Sequence, residues 1–450
     1  MNKVFMVGIS GIGMSRLALA LSDLGFDVYG TDVNLSLALN SLAPYGIKIV
    51  DDNFELDKSF DVVVYSSAVP KTNKFIHSSK NLGILIKARG EMLADIALPY
   101  KEIVISGTHG KTTTTAMIGA LLSDNFKTNI YVGAEVPFNN FYKEADYFVL
   151  ESDESDKTFL LLQPYFLVLT NVDRDHLNAY NNDFNELKKA FSNVLQKSHI
   201  KVVSMDDTVA YSLASQFGKE TYYYSLNNSS ANAFSNNIVY RSDGITFDIQ
   251  INEKLIKGIR LKTFGLQNVS NAIAAALTAD LLNVSNENII DGFSKFTMPA
   301  RRLEKKGEVD GIILFDDHAD HPSEVEATLD ALRKHFPQRR IIAVFQPHRY
   351  TRMDALRESV AKPFYLADSV IVNDIFAAFE DPIEGISGEV VTSWIKENNH
   401  SKDVYFVKDL KDIPDAILRI AQTGDIIVLL GPGNIGEIAL PILDKLKEKI

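Results

Sequence analysis

Short apolar runs recur along this chain, each ending in a glycine- or carboxylate-rich turn and most leading into a stretch with helical spacing. Val4-Phe5-Met6-Val7 reads as a buried strand, Gly8 to Gly13 as a tight turn, and residues 14–24 as a helix with Leu17, Ala18, Leu21 and Leu24 on one face. A second strand, Asp27-Val28-Tyr29-Gly30, ends at Thr31-Asp32. Asp61 to Tyr65 and Ile84-Leu85-Ile86 continue the pattern, followed by Ser66-Ser67-Ala68-Val69-Pro70 and by Arg89-Gly90-Glu91. Strands alternating with helices in this way predict mostly parallel sheets.

The same grammar returns after Leu98-Pro99-Tyr100, a plausible domain boundary. Strand Ile103-Val104-Ile105 runs into the polar turn Ser106 to Thr115 and then the helical stretch Ala116 to Leu122. Strand Tyr147 to Leu150 runs into Glu151-Ser152-Asp153-Glu154-Ser155-Asp156, and Phe166 to Leu169 into Thr170 to His176. Residues 220–262 carry tyrosines, short alternating runs and Asn-Ser turns, which predict appended antiparallel strands. Gly265 to Asn271 then enters an alanine-rich helix. Strands at 311–315, 341–345, 369–372 and 426–430 predict a third, mostly parallel sheet, and its strand ends collect Asp316 to Pro322, Gln346 to Arg352 and Gly431 to Asn434. The divisions expected are 1–98, 99–298 and 299–450.

Three of these turns suggest chemistry. A glycine turn between strand and helix aims free N–H groups at one point, so Gly107, Thr108, His109, Gly110 and Thr113 fit a phosphate chain, with Lys111 to neutralise it and Thr112 to reach Mg²⁺. Ile105 stands where the general phosphate-loop pattern has its first glycine. Thr112, a carboxylate from the first acidic run and His176 would together surround such an ion. The first turn, with Gly11, Ile12 and Gly13 before a helix and Asp32 after the next strand, is the geometry of a Rossmann-like nucleotide unit, although Ser10 replaces its middle glycine; a ligand-free turn fits it as well. Asn268 and Asn271, three apart on one helix, suit either a base or sugar contact or capping.

Composition narrows the partners. Across 450 residues 46% are apolar, enough for several cores, and the net charge of -12 opposes a nucleic-acid partner. With no cysteine there is neither a disulfide framework nor a thiolate metal site. Glycines at 8, 11 and 13, then Arg16 and Asp23, interrupt the first apolar run too early for a membrane span, so a soluble cytoplasmic protein without membrane insertion is expected. Nothing in the sequence fixes an oligomeric state.

Read together, five motifs resemble the Mur ligase family: Gly8 to Ser15, Gly107 to Thr113, Glu151 to Asp156, Asp175-His176-Leu177 and Pro347 to Arg352. The resemblance runs along essentially the whole chain. It implies an α/β, three-domain architecture, with a Rossmann-like N-terminal domain, a central P-loop-type ATPase domain bearing extra strands, and a Rossmann-like C-terminal domain. It implies an ADP-forming ligase using ATP and Mg²⁺ to join L-alanine to the lactyl carboxylate of UDP-N-acetylmuramate. Within it Gly11, Ile12, Gly13, Asp32, Ser67 and Arg89 would hold the UDP-sugar. Lys111 and Thr112 take the phosphate and metal, with Glu151 and His176 as metal ligands. Asn268, Asn271 and Asp317 contact the nucleotide, and Arg302 lies near the phosphates. Arg349 and Arg352 face the amino-acid carboxylate, and His321 and His348 are candidate bases. Phe191 stands where other branches carry a carbamylated lysine; the alanine-adding branch also lacks it.

The departures are local. Where that branch reads Asp-Asp-Tyr-(Gly/Ala)-His-His-Pro, this chain has Asp316-Asp317-His318-Ala319-Asp320-His321-Pro322, and Asn434 replaces an aspartate. His318 and Asp320 fall in the expected amino-acid pocket. They are either tolerated swaps in an unchanged pocket or the mark of a ligase for another amino acid or a recycled murein peptide. A non-catalytic nucleotide-sugar-binding relative is the third possibility.

Overall fold

A computed structural model describes residues 3–134, 141–241, 243–378, 380–398 and 403–448. The chain forms two compact units: Met1–Asn236 with Asp248–Ile259 and Ser270–Pro299, and Asn237–Phe247 with Arg260–Val269 and Ala300–Ile450. The described residues form three sheets, of five, nine and six strands.

The five-stranded sheet runs, in spatial order, Lys48–Ile49, Asp27–Thr31, Lys3–Val7, Val62–Tyr65, Leu85–Ala88, and every neighbouring pair is parallel. Its central strand is buried on both faces, which is why its sequence is apolar without alternation. Val4 and Met6 pack with Leu17, Leu21 and Leu93, whereas Phe5 and Val7 join Phe60, Val63 and Phe75 on the other side. The first helix, Ile12–Asp23, begins two residues before the apolar pattern does, because Ile12 itself is 61% exposed and contributes nothing to the buried face.

The nine-stranded sheet runs Lys254–Leu261, Gly244–Ile251, Ala233–Arg241, Thr221–Ser225, Ile200–Ser204, Phe166–Leu169, Lys101–Ser106, Tyr147–Glu151, Thr128–Tyr131. The antiparallel expectation for 220–262 needs correction. Thr221–Ser225 lies parallel to Ile200–Ser204, and Ala233–Arg241 joins it in parallel through Tyr224↔Ala233 and Ser225↔Phe234. Only the connections after Arg241 and Ile251 are so short that they must join antiparallel neighbours. Tyrosine-rich alternation reports a half-buried face, and either strand direction produces it. Helix Lys111–Leu122 has all of its residues buried, including four threonines in a row.

The third sheet, Glu304–Val309, Ile312–Asp317, Ile426–Leu430, Ile341–Phe345, Ser369–Asn373, Asp403–Val407, is parallel except for its first strand. The ends of four inner strands therefore open on one rim, where ligands of open α/β sheets bind.

Candidate active site

The first unit builds its site around the turn between strand Lys101–Ser106 and helix Lys111–Leu122. Gly107 and Gly110 have φ of 130° and 83°; a Cβ on Gly107 would lie 2.2 Å from Thr170 Oγ1 and 2.8 Å from the Asn171 carbonyl, and one on Gly110 2.7 Å from Asn271 Oδ1. Glycine is required at both positions by conformation and by space. The loop after Phe166–Leu169 straps the turn from the side. Asn171 Oδ1 accepts the His109 N–H at 2.8 Å, Thr108 Oγ1 accepts the Asp173 N–H at 2.8 Å, and His109 Nε2 lies 3.2 Å from Asp173 Oδ2.

Lys111 is buried within this turn. Its Nζ donates to the carbonyls of Gly107 at 2.6 Å and Thr108 at 3.0 Å and to Glu154 Oε2 at 2.9 Å, with Asp153 at 3.8 Å. Burial works against the ammonium charge, but the carboxylates of Glu154, Asp153 and Glu151 more than offset it, and its pKa is raised. Burial pushes Glu154 up to about 7, whereas Asp153, although also buried, is held below the ordinary carboxylate range chiefly by Lys111. Thr112 Oγ1 donates to Glu151 Oε1 at 2.8 Å. The ligand atoms of Asp153, Glu154 and His176 lie within 4.8 Å of one another. Thr112 with Glu151, and Asp153 and Glu154 with His176, are thus two neighbouring groups of donors in the sequence-predicted site, and the structure brings His176 to the second of them. Glu154 is fully buried at the lysine, yet its place in the acidic run, three after Glu151, carries no sequence signal that distinguishes it. Phe191 is a core residue packed on Phe159 with ring centroids 5.1 Å apart.

The glycine turn at 8–13 lies in the same unit. Asp32 shapes it, since Oδ2 accepts the Ser10 N–H at 2.8 Å and Oδ1 the Asn34 N–H at 3.0 Å; remaining lone pairs leave room for a hydroxyl. Gly11 is the N-cap of the first helix, with Ile12 and Gly13 opening it. Ser67 is exposed in the loop after Val62–Tyr65. Arg89, which opens helix Arg89–Ala97, donates to Tyr131 Oη at 3.0 Å and is paired with Asp156. Burial opposes its charge, while Tyr131 and Asp156 together hold its pKa above the ordinary value.

The second unit holds the remaining candidates, most of them at the strand ends of the third sheet. Arg302 sits between two residues of left-handed conformation, Arg301 at φ 59° and Leu303 at φ 50°. Arg301, the neighbour of Arg302, is a structural anchor: its Nε meets Asp316 Oδ2 at 3.0 Å and its Nη atoms reach the carbonyls of Gly431 at 2.6 Å and Gly433 at 2.9 Å. Burial pushes Asp317 up to about 6, with the Arg302 charge opposing. Burial, with Arg302 and Arg301 nearby, pushes His318 down to about 4. Asp320 is 6% exposed, with Arg352 Nη2 3.1 Å from Oδ1 and His348 Nδ1 3.6 Å from Oδ2. His321 Nδ1 lies 2.6 Å from Ser323 Oγ, and Arg349 is exposed at the start of helix Tyr350–Ala355 with φ 64°. Asn268 Nδ2 donates to the Phe264 carbonyl at 2.8 Å. Asn434 has a structural partner: its Oδ1 accepts from Gln346 Nε2 at 2.9 Å, and the same nitrogen donates to Asn373 Oδ1 at 3.0 Å. These three amides line a cavity that His318, Asp320, Arg349 and Arg352 do not.

The depressed His318 pKa has a stability consequence. The unfolded chain takes up this proton as pH falls below the ordinary value of 6.5, whereas the folded chain does so only near 4, so stability declines between those values. His318→Tyr is expected to flatten that decline by about 3 kcal/mol, measured as the urea midpoint against pH.

Among known proteins, the chain matches the description "Mur ligase family, catalytic domain" over residues 3–101, "Mur ligase middle domain" over 105–279 and "Mur ligase, glutamate ligase domain" over 301–433. It is 36% identical over 445 residues to a UDP-N-acetylmuramate--L-alanine ligase of Salinibacter ruber, covering 96% of this chain and 93% of that one. It is 35% identical over 457 residues to the protein of the same name from Caldicellulosiruptor saccharolyticus, covering 99% of each. Among solved structures, a UDP-N-acetylmuramate-alanine ligase of Thermotoga maritima superposes over 100% of both chains with a TM-score of 0.83 at 25% identity. A murein peptide ligase of Psychrobacter arcticus shares the fold, with a TM-score of 0.69 at 24% identity over 100% of both chains. With three matches spanning nearly its whole length and relatives at this identity, the chain belongs to the Mur ligase family.

Proposed function

We propose that this chain is an ADP-forming ligase that joins L-alanine to the lactyl carboxylate of UDP-N-acetylmuramate, a step of peptidoglycan precursor synthesis. The observation that carries the reading is its full-length likeness to ligases of that name. We assign residues 1–98 to the sugar nucleotide, 99–298 to ATP and 299–450 to the amino acid. Among the described residues no helix is long and apolar enough to cross a membrane.

ATP lies along Gly107 to Thr113 in this reading, with Asn268, Asn271 and Asp317 as further nucleotide contacts. Thr112, Glu151 and His176 would hold Mg²⁺, which when bound supplies charge neutralisation on the phosphates. A carboxylate is a poor acyl donor because oxide would have to leave. The lactyl carboxylate oxygen therefore attacks the γ-phosphorus, ADP departs, and an acyl phosphate forms; Lys111 and Arg302 balance the charge that spreads over the transferred group. The neutral amine of alanine then attacks the acyl carbon, phosphate leaves with the C–O bond electrons, and the amine gives up its proton. Arg349 and Arg352 orient the amino acid through its carboxylate, for which a planar guanidinium is suited.

A related ligase for another amine rests on Asp320. The contacts of Asp320 count against a cationic amine, because the Arg352 guanidinium already meets its charge. The paired Lys111, Thr112 and Glu151 count against a non-catalytic relative. The test is ADP release with ATP, Mg²⁺ and UDP-N-acetylmuramate across L-alanine, glycine, L-serine, L-lysine, D-alanine and the recycled tripeptide, with product mass read in parallel. Turnover led by L-alanine is expected; preference for another amine would sink the reading and point to the 318–321 segment.

A further inference from the structure

Two parts of the first unit that the proposed function gives to different ligands meet on one short stretch, Tyr131 to Ala134. Tyr131 ends strand Thr128–Tyr131 opposite Leu150 and is 3% exposed. Its hydroxyl donates to the Gly13 carbonyl at 2.8 Å and accepts from Arg89 Nη1 at 3.0 Å. Arg89 Nη2 is paired with Asp156, whose other oxygen accepts the Thr158 N–H at 3.0 Å. Arg16 Nη2 reaches the Ala134 carbonyl at 2.8 Å. From the opposite side the Gly133 N–H donates to Glu151 Oε2 at 3.0 Å, while Glu151 Oε1 accepts from Thr112 at 2.8 Å. The glycine turn and the first helix thus hold Tyr131 and Ala134, and the carboxylate beside the phosphate turn holds Gly133 between them.

Both oxygens of Glu151 are engaged, so its carboxylate cannot turn without breaking a bond to Gly133 or to Thr112. Arg89 is equally constrained: a Cβ on Gly13 would lie 2.9 Å from its Nη1, so the guanidinium fills the space left by the missing side chain. An anion bound at the glycine turn gains a partner in Arg89 and fixes it against Tyr131. Because Glu151 cannot turn without breaking a bond, a change at Arg89 is carried through Tyr131 and Gly133 to the carboxylate that a second ligand at Glu151 and Thr112 would meet.

We infer that Tyr131 is a positioning residue through which the sugar nucleotide and the metal-bound nucleotide bind cooperatively. The inference rests on the proposed function for the identity of the two ligands. Tyr131→Phe keeps the ring and removes both hydrogen bonds.

The test is calorimetric titration of the full chain with ADP and Mg²⁺, with and without saturating UDP-N-acetylmuramate. In the unaltered protein the sugar nucleotide is expected to tighten ADP binding by about fivefold or more. In Tyr131→Phe each ligand alone still binds, and the ratio falls to about one. Asp156→Asn, which loosens the other anchor of Arg89, is expected to lower the ratio as well and serves if Tyr131→Phe does not fold. A ratio near one in the unaltered protein overturns the inference. So does a variant that binds both ligands more weakly with its ratio intact, since that is what a purely structural brace would give. Failure of the unaltered protein to bind either ligand alone overturns the proposed function instead.

Discussion

Lys111→Ala is expected to reduce ADP formation by roughly a thousandfold or more, because it removes the ammonium buried in the phosphate turn. It also has a cost in the fold. Lys111 bonds Glu154 at 2.9 Å, and Glu154 is fully buried, so the variant strands a carboxylate without its cation. Breaking one side of a buried pair costs about 3 kcal/mol or more. Because burial already raises Glu154 to about 7, the stranded group escapes by taking up a proton, and the loss of stability is expected to be smaller at about pH 6 than at about pH 8. The double variant Lys111→Ala with Glu154→Gln separates the two effects. Its urea midpoint is expected to recover while ADP formation stays absent; recovery of turnover would mean that the lysine serves the fold and not the phosphates.

Arg352→Ala is expected to lower kcat/KM for the amino acid by about a hundredfold to a thousandfold while leaving KM for ATP and for the sugar nucleotide little changed. Arg352 bonds Asp320 at 3.1 Å, so a carboxylate from within the chain already engages the guanidinium offered to the substrate. Asp320→Asn weakens that internal partner, and a lower KM for L-alanine is the expected result. Steady-state kinetics varying each substrate in turn reads both variants. An Arg352→Ala enzyme whose KM for ATP rises as steeply as that for alanine would place this arginine elsewhere in the reaction.

The two variants probe features that were unequally legible. Apolar runs without alternation located the strands at 341–345 and 426–430 to the residue, since each is buried on both faces of a parallel sheet. Thr128–Tyr131 escaped, because half of it is polar. Asn129 is buried and spends its amide on the Tyr142 backbone, donating at 3.1 Å and accepting at 2.7 Å, a pairing with no local signature. Glu304–Val309 escaped as a charged edge strand. Around the site, the glycine turns and the acidic run were readable as types of chemistry. Which acid is buried at Lys111, and which arginine of the 301–302 pair anchors the sheet, depended on contacts between residues distant in sequence.

The strapping of the phosphate turn bears on modular design. The ten residues from Ser106 to Thr115 are not a transferable cassette. Gly107 keeps its conformation against Thr170 and Asn171, His109 leans on Asn171 and Asp173, and Gly110 faces Asn271. Grafted alone onto another strand–helix junction, the segment would lose the surfaces that hold its N–H groups in place. A working transplant would have to carry the 170–173 loop and the Asn271 helix with it, and recombination breakpoints between relatives are expected to be tolerated outside residues 101–271 far better than within them.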